Sequence, residues 1–154
     1  MSNIIVLNSY PNAAEFIRRD IQNPHNNVKD YVHLASFMHE WKSRFEDIDL
    51  IITEAKVNFF SPDHIRGAET ATQKKLQVDY PWTATVSFEN GARQCIEEVR
   101  KRNPHVKVVV FTAYTLDVAK SLFDGINVQV VEMNSSDYLD SLIPLINQLS
   151  DTPA

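Results

Sequence analysis

Few side chains in this sequence stand where chemistry is usually done. Glu54, Thr112 and Glu132 each follow a run of Val, Ile, Leu or Phe, and Asn8 and Ser9 follow another, Ile4-Ile5-Val6-Leu7. Two neighbouring carboxyls whose environments differ can divide the roles of acid and base. One carboxylate with an amide and a hydroxyl is a poor magnesium site, because that ion prefers octahedral oxygen ligation and dehydrates reluctantly. Other routes to catalysis fail on spacing. The three glycines form no G-x-G pair that could cradle a phosphate. His25, His33, His39, His64 and His105 stand at no metal-ligand interval with a cysteine or carboxylate, and His33 and His39, six apart, straddle a strand–helix junction. Cys95 is the single cysteine. Beside Ile96, on a helix of mixed charge, it reads as a small buried hydrophobe rather than a nucleophile. The expectation is no enzyme, no cofactor and no metal.

The elements that must position these residues alternate. Ile4 to Leu7 is a β-branched run suited to a strand buried on both faces. Ala13, Ala14, Phe16, Ile17 and Ile21 recur at helical spacing, with Glu15, Arg18, Arg19 and Asp20 facing away, until Asn23-Pro24 stops the pattern. Val28 to Ala35 suits a second strand, and Ser36 offers a cap for a helix through Phe45 with Phe37, Trp41 and Phe45 on one face. Asp49 to Glu54 is the third strand. Ala92, Ile96 and Val99 line a helix closed by Asn103-Pro104, and Val106 to Phe111 is the fourth strand. Thr115 can cap a helix with Leu116, Ala119, Leu122 and Phe123 inside, after which Gly125 sits where a left-handed residue ends it. Val128 to Val131 is strand five. Ser135 or Ser136 caps a last helix striped by Tyr138, Leu139, Leu142, Ile143 and Ile146, in which Pro144 bends the axis or marks the end.

Such alternation specifies an α/β fold, a flavodoxin-like five-stranded parallel sheet with helices on both faces. Functional groups of such sheets gather beyond the carboxyl ends of the strands, which is where the five residues above lie. At 154 residues, 44% hydrophobic and 23% charged, the chain fits one domain that needs no disulfide or structural metal. No apolar run approaches the roughly 20 residues of a membrane helix. The start, Met1-Ser2-Asn3-Ile4, has no basic leader, so a cytoplasmic location is expected. Net charge is −5, and its placement is uneven. Residues 1–107 are balanced, whereas beyond them Lys120 is the only cation among Asp117, Asp124, Glu132, Asp137, Asp140 and Asp151. Phosphate repulsion argues against direct nucleic-acid binding there.

The segments Asp49 to Glu54, Gly91-Ala92-Arg93-Gln94-Cys95, Val108 to Ala113 and Gly125 to Glu132 resemble the receiver domains of bacterial two-component response regulators. The resemblance covers nearly the whole chain as a single receiver-like domain, 1–154. It implies an acidic pair after strand one, a phosphoacceptor Asp ending strand three, Thr or Ser ending strand four and Lys ending strand five. Asn8 and Ser9 stand in place of the acidic pair, Glu54 of the phosphoacceptor and Glu132 of the lysine; only Thr112 is retained. The implied chemistry needs magnesium held by carboxylates and cations that offset phosphoryl charge, and this pocket lacks both. Glu54 is also one methylene too long. The chain therefore resembles a pseudo-receiver, in which Glu54 is either a solvated strand-end residue or a stand-in for phospho-aspartate that hydrogen-bonds Thr112. The alignment also brings Glu54 and Glu132 near each other, so that one carboxyl would titrate high.

Between Glu54 and Gly91 lie 36 residues. The resemblance implies a much shorter crossing, so about 55–90 reads as an insertion after strand three. Pro62-Asp63-His64 to Lys75 suggests a short helix within it. Phe59, Phe60, Tyr80 and Trp82 flank the segment. They either anchor it against the sheet edge or form an exposed apolar surface for a partner. The resemblance makes the layer from about 115 to 149 the dimerisation and output surface, and here that layer is acidic. Asp117, Asp124, Asp137 and Asp140 thus become candidates for contact with a basic protein partner or a second copy. After the last helix only Ser150 to Ala154 follow, so no fused output module is expected. The reading is a phosphorylation-independent domain acting by protein contact in bacterial signalling or gene regulation. The alternatives are a regulatory segment of a larger enzyme, or a small ligand-binding or enzymatic domain using Glu54, Thr112 and Glu132.

Overall fold

A computed structural model describes residues 2–7, 15, 18–19, 21, 25–59, 71–112, 116–132 and 138–150, with backbone alone at 71, 72, 138–141 and 150. Five strands, β1 (Asn3–Leu7), β2 (Asn27–Tyr31), β3 (Leu50–Glu54), β4 (Lys107–Thr112) and β5 (Gln129–Glu132), form one sheet in the order β2-β1-β3-β4-β5. Every pairing is parallel. The described helices are α1 (Leu34–Trp41), α2 (Ala71–Asp79), α3 (Gly91–Arg102), α4 (Leu116–Leu122) and α5 (Tyr138–Ser150). This is the flavodoxin-like order, which leaves a topological switch between β1 and β3.

Alternation along the strands divides the core in two. Ile5, Leu7, Ile51, Val108 and Val110 face a cluster with Phe37, Trp41, Phe45, Ile96, Val99 and Ala119. Ile4, Val6, Leu50, Ile52, Val109 and Phe111 face the other way, against Ile21, Leu142 and Ile146. Of the expected first helix, Ala13, Ala14, Phe16 and Ile17 lie outside the described residues. Glu15, Arg18 and Arg19 are exposed and Ile21 is buried, as the pattern requires.

Two expected boundaries need correction. The second strand stops at Tyr31, and α1 starts at Leu34 rather than after Ser36. The reason is a tertiary cap: the first-turn amides of Leu34 and Ala35 donate to the carbonyls of Asn58 and Phe59 at 3.0 and 2.8 Å. A helix whose orphan donors are met by a distant segment needs no side-chain cap, and His33 supplies none. The helix also ends at Trp41, Phe45 lying in a separate 3₁₀ turn, Phe45–Asp47; Phe37, Trp41 and Phe45 are nevertheless all fully buried.

Between β3 and β4 the chain carries both α2 and α3. Of the short helix expected from Pro62 to Lys75, residues 62–70 lie outside the described set, and 71–75 fall in α2, which runs on to Asp79. Within it Gln73 and Leu76 are buried. Tyr80 precedes Pro81, and a residue before proline is pushed out of helical geometry, so α2 stops there. At the start of α3, a Cβ on Gly91 would stand 3.1 Å from Leu34 Cδ1 and 3.5 Å from the Val57 carbonyl oxygen, a close approach that a glycine permits. Asn103 closes α3 by donating its side-chain amide to the carbonyls of Phe45 and Ile48 at 3.0 and 2.7 Å. Gly125, at φ +83°, takes the left-handed turn after α4.

Candidate functional site

The strand register decides which of the predicted residues meet. Leu7 aligns with Tyr31 on one side and Thr53 on the other, Glu54 aligns with Phe111, and Thr112 aligns with Glu132. The carboxyl ends of β3, β4 and β5 are therefore neighbours. The amide of Ala55 donates to the Phe111 carbonyl at 3.0 Å, extending the pairing past Glu54, while Thr53 Oγ1 donates to the Glu54 carbonyl at 2.9 Å. Thr112 is buried, Glu54 half-buried and Glu132 exposed. Because β4 stands between β3 and β5, the backbones of Glu54 and Glu132 are about 10 Å apart, two strand spacings. The two carboxylates share an edge without being next-strand neighbours. Asn8 and Ser9 lie outside the described residues.

A cation missed in the sequence stands at the same edge. Lys56, two residues past Glu54, has a side chain only 17% exposed, and its Nζ is 3.9 Å from Glu89 Oε1. The signal was available as a lysine immediately beyond a strand end; its burial was not.

The aromatic residues resolve into an anchor. Phe59 is buried and stacks edge-on against Trp82, ring centroids 5.6 Å apart. Trp82 and Tyr80 are half-buried against the core, and Trp82 Nε1 donates to Glu98 at 2.9 Å. Burial and the neighbouring Glu98 raise the Tyr80 pKa. The reading of Phe59, Tyr80 and Trp82 as an exposed apolar surface is thereby corrected, since packing on α3 and the carbonyl cap on α1 draw this segment inward. Phe60 lies outside the described residues.

On the acidic layer, Asp117 and Asp124 are exposed, as is Glu132. Asp137 lies outside the described residues, and of Asp140 only the backbone, in α5, is described. Around them Val118 is 42% exposed, and Val130 and Val131 are half-buried. Cys95 is fully buried, and desolvation raises its pKa, the opposite of what an attacking thiolate needs. No helix among the described residues is long and apolar enough to cross a membrane.

Neither a protein-family model nor a curated protein sequence matches this chain. Solved structures do match it. A response regulator from Thermotoga maritima superposes with a TM-score of 0.58 at 12% identity, covering 99% of each chain. A DNA-binding response regulator of the LuxR family from Staphylococcus aureus gives 0.58 at 11%, covering 98% of this chain and 100% of that one. The response regulator TrrA from Thermotoga maritima, solved with Mg²⁺ and BeF, gives 0.51 at 17%, covering 95% and 99%. The chain therefore has the fold of a response-regulator receiver domain, the expectation drawn from its strand-end segments.

Proposed function

We propose that this protein is a pseudo-receiver: a domain of bacterial signalling or gene regulation, working in the cytoplasm, that acts by protein contact and not by phosphorylation. One observation carries the reading. The β4–β5 register sets Glu132, an exposed carboxylate, opposite Thr112, where the resemblance calls for lysine. Glu54 meanwhile ends β3, where the resemblance calls for the phosphoacceptor. A phosphoryl group arriving at Thr112 would meet negative charge on both flanking strands, and like charge disfavours it.

The donor set fits a resident magnesium ion poorly. That ion holds near-ideal octahedral geometry and dehydrates reluctantly. Glu54 and Glu132 approach from strands about 10 Å apart, and Asn8 and Ser9 offer no carboxylate. Output then falls to surfaces. The acidic layer of α4, β5 and α5 is the one suited to a basic partner or a second copy, its charge speeding encounter.

Incubating the chain with acetyl phosphate and magnesium, then measuring intact mass, tests the reading. No phosphoryl adduct is expected, and beryllofluoride with magnesium should leave tryptophan fluorescence unchanged. A stoichiometric adduct, or saturable beryllofluoride binding at millimolar magnesium, overturns it.

A further inference from the structure

At the far end of α3 from this edge lies a groove of about 360 Å³, lined by Ile96, Glu97, Arg100, Lys101, Ile126 and Asn127. Its walls differ in how their charges are met. On the same helix Arg93 Nε contacts Glu97 Oε1 at 2.8 Å, Lys101 contacts Glu98 at 2.9 Å, and Arg102 pairs with Glu46. Arg100 has no carboxylate among the described residues. Its Nη2 donates to the Val106 carbonyl at 3.2 Å, and its Nε, shielded from solvent, has no acceptor. Desolvation lowers the Arg100 pKa, a cost that the single bond to the Val106 carbonyl offsets only in part.

We propose that this groove is a docking site for an acidic side chain of a partner protein, with Arg100 clasping its carboxylate. A guanidinium presents a planar fork of donors that matches a carboxylate in two parallel hydrogen bonds, and such charge-assisted bonds are the stronger kind. Ile126, half-buried, provides apolar surface for the aliphatic stem or a neighbouring residue. Lys101, its side chain 69% exposed, adds a cation at the rim. Glu97 opposes it, but its charge is engaged by Arg93, and it disfavours a doubly charged phosphate more than a single carboxylate. The site borders the acidic layer at Ile126 and Asn127, but it rests on Arg100 and does not depend on the loss of phosphoryl transfer, so either idea can fail without the other.

The test uses the ¹⁵N-labelled full chain and the Nε–H resonances of its arginines. The Arg100 signal is the one that disappears in Arg100→Lys. Acetyl-Leu-Glu-Leu-amide should shift it saturably. Acetyl-Leu-Gln-Leu-amide should bind about tenfold or more weakly, as expected for loss of a charged hydrogen-bond acceptor. Arg100→Lys should weaken the acidic peptide to a similar degree, and Lys101→Glu on the exposed rim should weaken it while the backbone amide spectrum stays native. No saturable shift, equal binding of the glutamine peptide, or inorganic phosphate binding as tightly as the acidic peptide would overturn the proposal.

Discussion

In β1 and β3, Ile4 to Leu7 and Leu50 to Ile52 are completely buried, whereas in β5 Gln129 and Glu132 are exposed and Val130 and Val131 are only half covered. The same contrast runs through the helices. On α1, Phe37, Met38 and Trp41 vanish into the core, while on α4 Val118 remains 42% exposed beside exposed Asp117. Polar groups follow suit. Under α1, Trp41 Nε1 donates to the Tyr31 hydroxyl at 2.8 Å, and that hydroxyl donates to Glu40 at 2.6 Å, where Lys29 also bonds at 3.2 Å. Arg44 stacks over the Trp41 ring at 3.8 Å. The central strands and the inner face of α1 are closed to solvent; the β5 margin keeps apolar area and charge on its surface. Buried apolar area is thus concentrated around β1, β3 and α1, and the β5 margin is the less covered part of the sheet.

The sharpest way to break this contrast is Trp41→Ala. Removing a fully buried indole should cost about 3–5 kcal/mol in urea denaturation, and a loss below about 1 kcal/mol would mean that the α1 side is not the closed one. Tyr31→Phe should cost less, about 1–3 kcal/mol, because the buried Trp41 Nε1 loses its acceptor. The same variant sharpens the pH dependence. The hydrogen bond from Tyr31, aided by Lys29, holds the Glu40 pKa below its ordinary value. A depressed carboxyl gives stability that is present above the unfolded value and is lost as pH falls through the folded one, so the native chain should lose stability below about pH 4. Tyr31→Phe should flatten that acid limb, and an unchanged slope would remove the hydrogen bond as its cause. The smallest effect belongs to the margin. Asp117→Lys with Asp124→Lys should alter stability by no more than about 0.5 kcal/mol, yet abolish any salt-sensitive binding of hexalysine. A double variant that unfolds, or that binds hexalysine as the native chain does, would show that the acidic layer is structural or inert.

The central strands were readable because continuous runs such as Ile4 to Leu7 and Val108 to Phe111 leave no polar face to turn toward water. Gly125 was readable because a left-handed turn after a helix favours glycine. The start of α1 was not. Ser36 is a good local cap, but the carbonyls of Asn58 and Phe59 satisfied the helix one turn earlier, and nothing near residue 34 announces them. The candidate edge was legible as a set of strand ends, Glu54, Thr112 and Glu132; Lys56 was passed over because a lysine beyond a strand is ordinarily solvated. Phe59 and Trp82 could equally have anchored or protruded, since aromatic composition carries no direction.

By itself the sequence determined the alternation of strands and helices, the apolar faces of each and the chemical identity of the residues at the strand ends, because periodicity and side-chain type are local properties. Only the tertiary structure decided that β4 would separate Glu54 from Glu132, that Phe59 and Trp82 would pack inward, and that Arg100 would meet no carboxylate among the described residues while Arg93 and Lys101 found theirs. Those outcomes depend on register and on which surfaces close against each other, and contact between residues far apart in the chain is set by the packing of the whole domain.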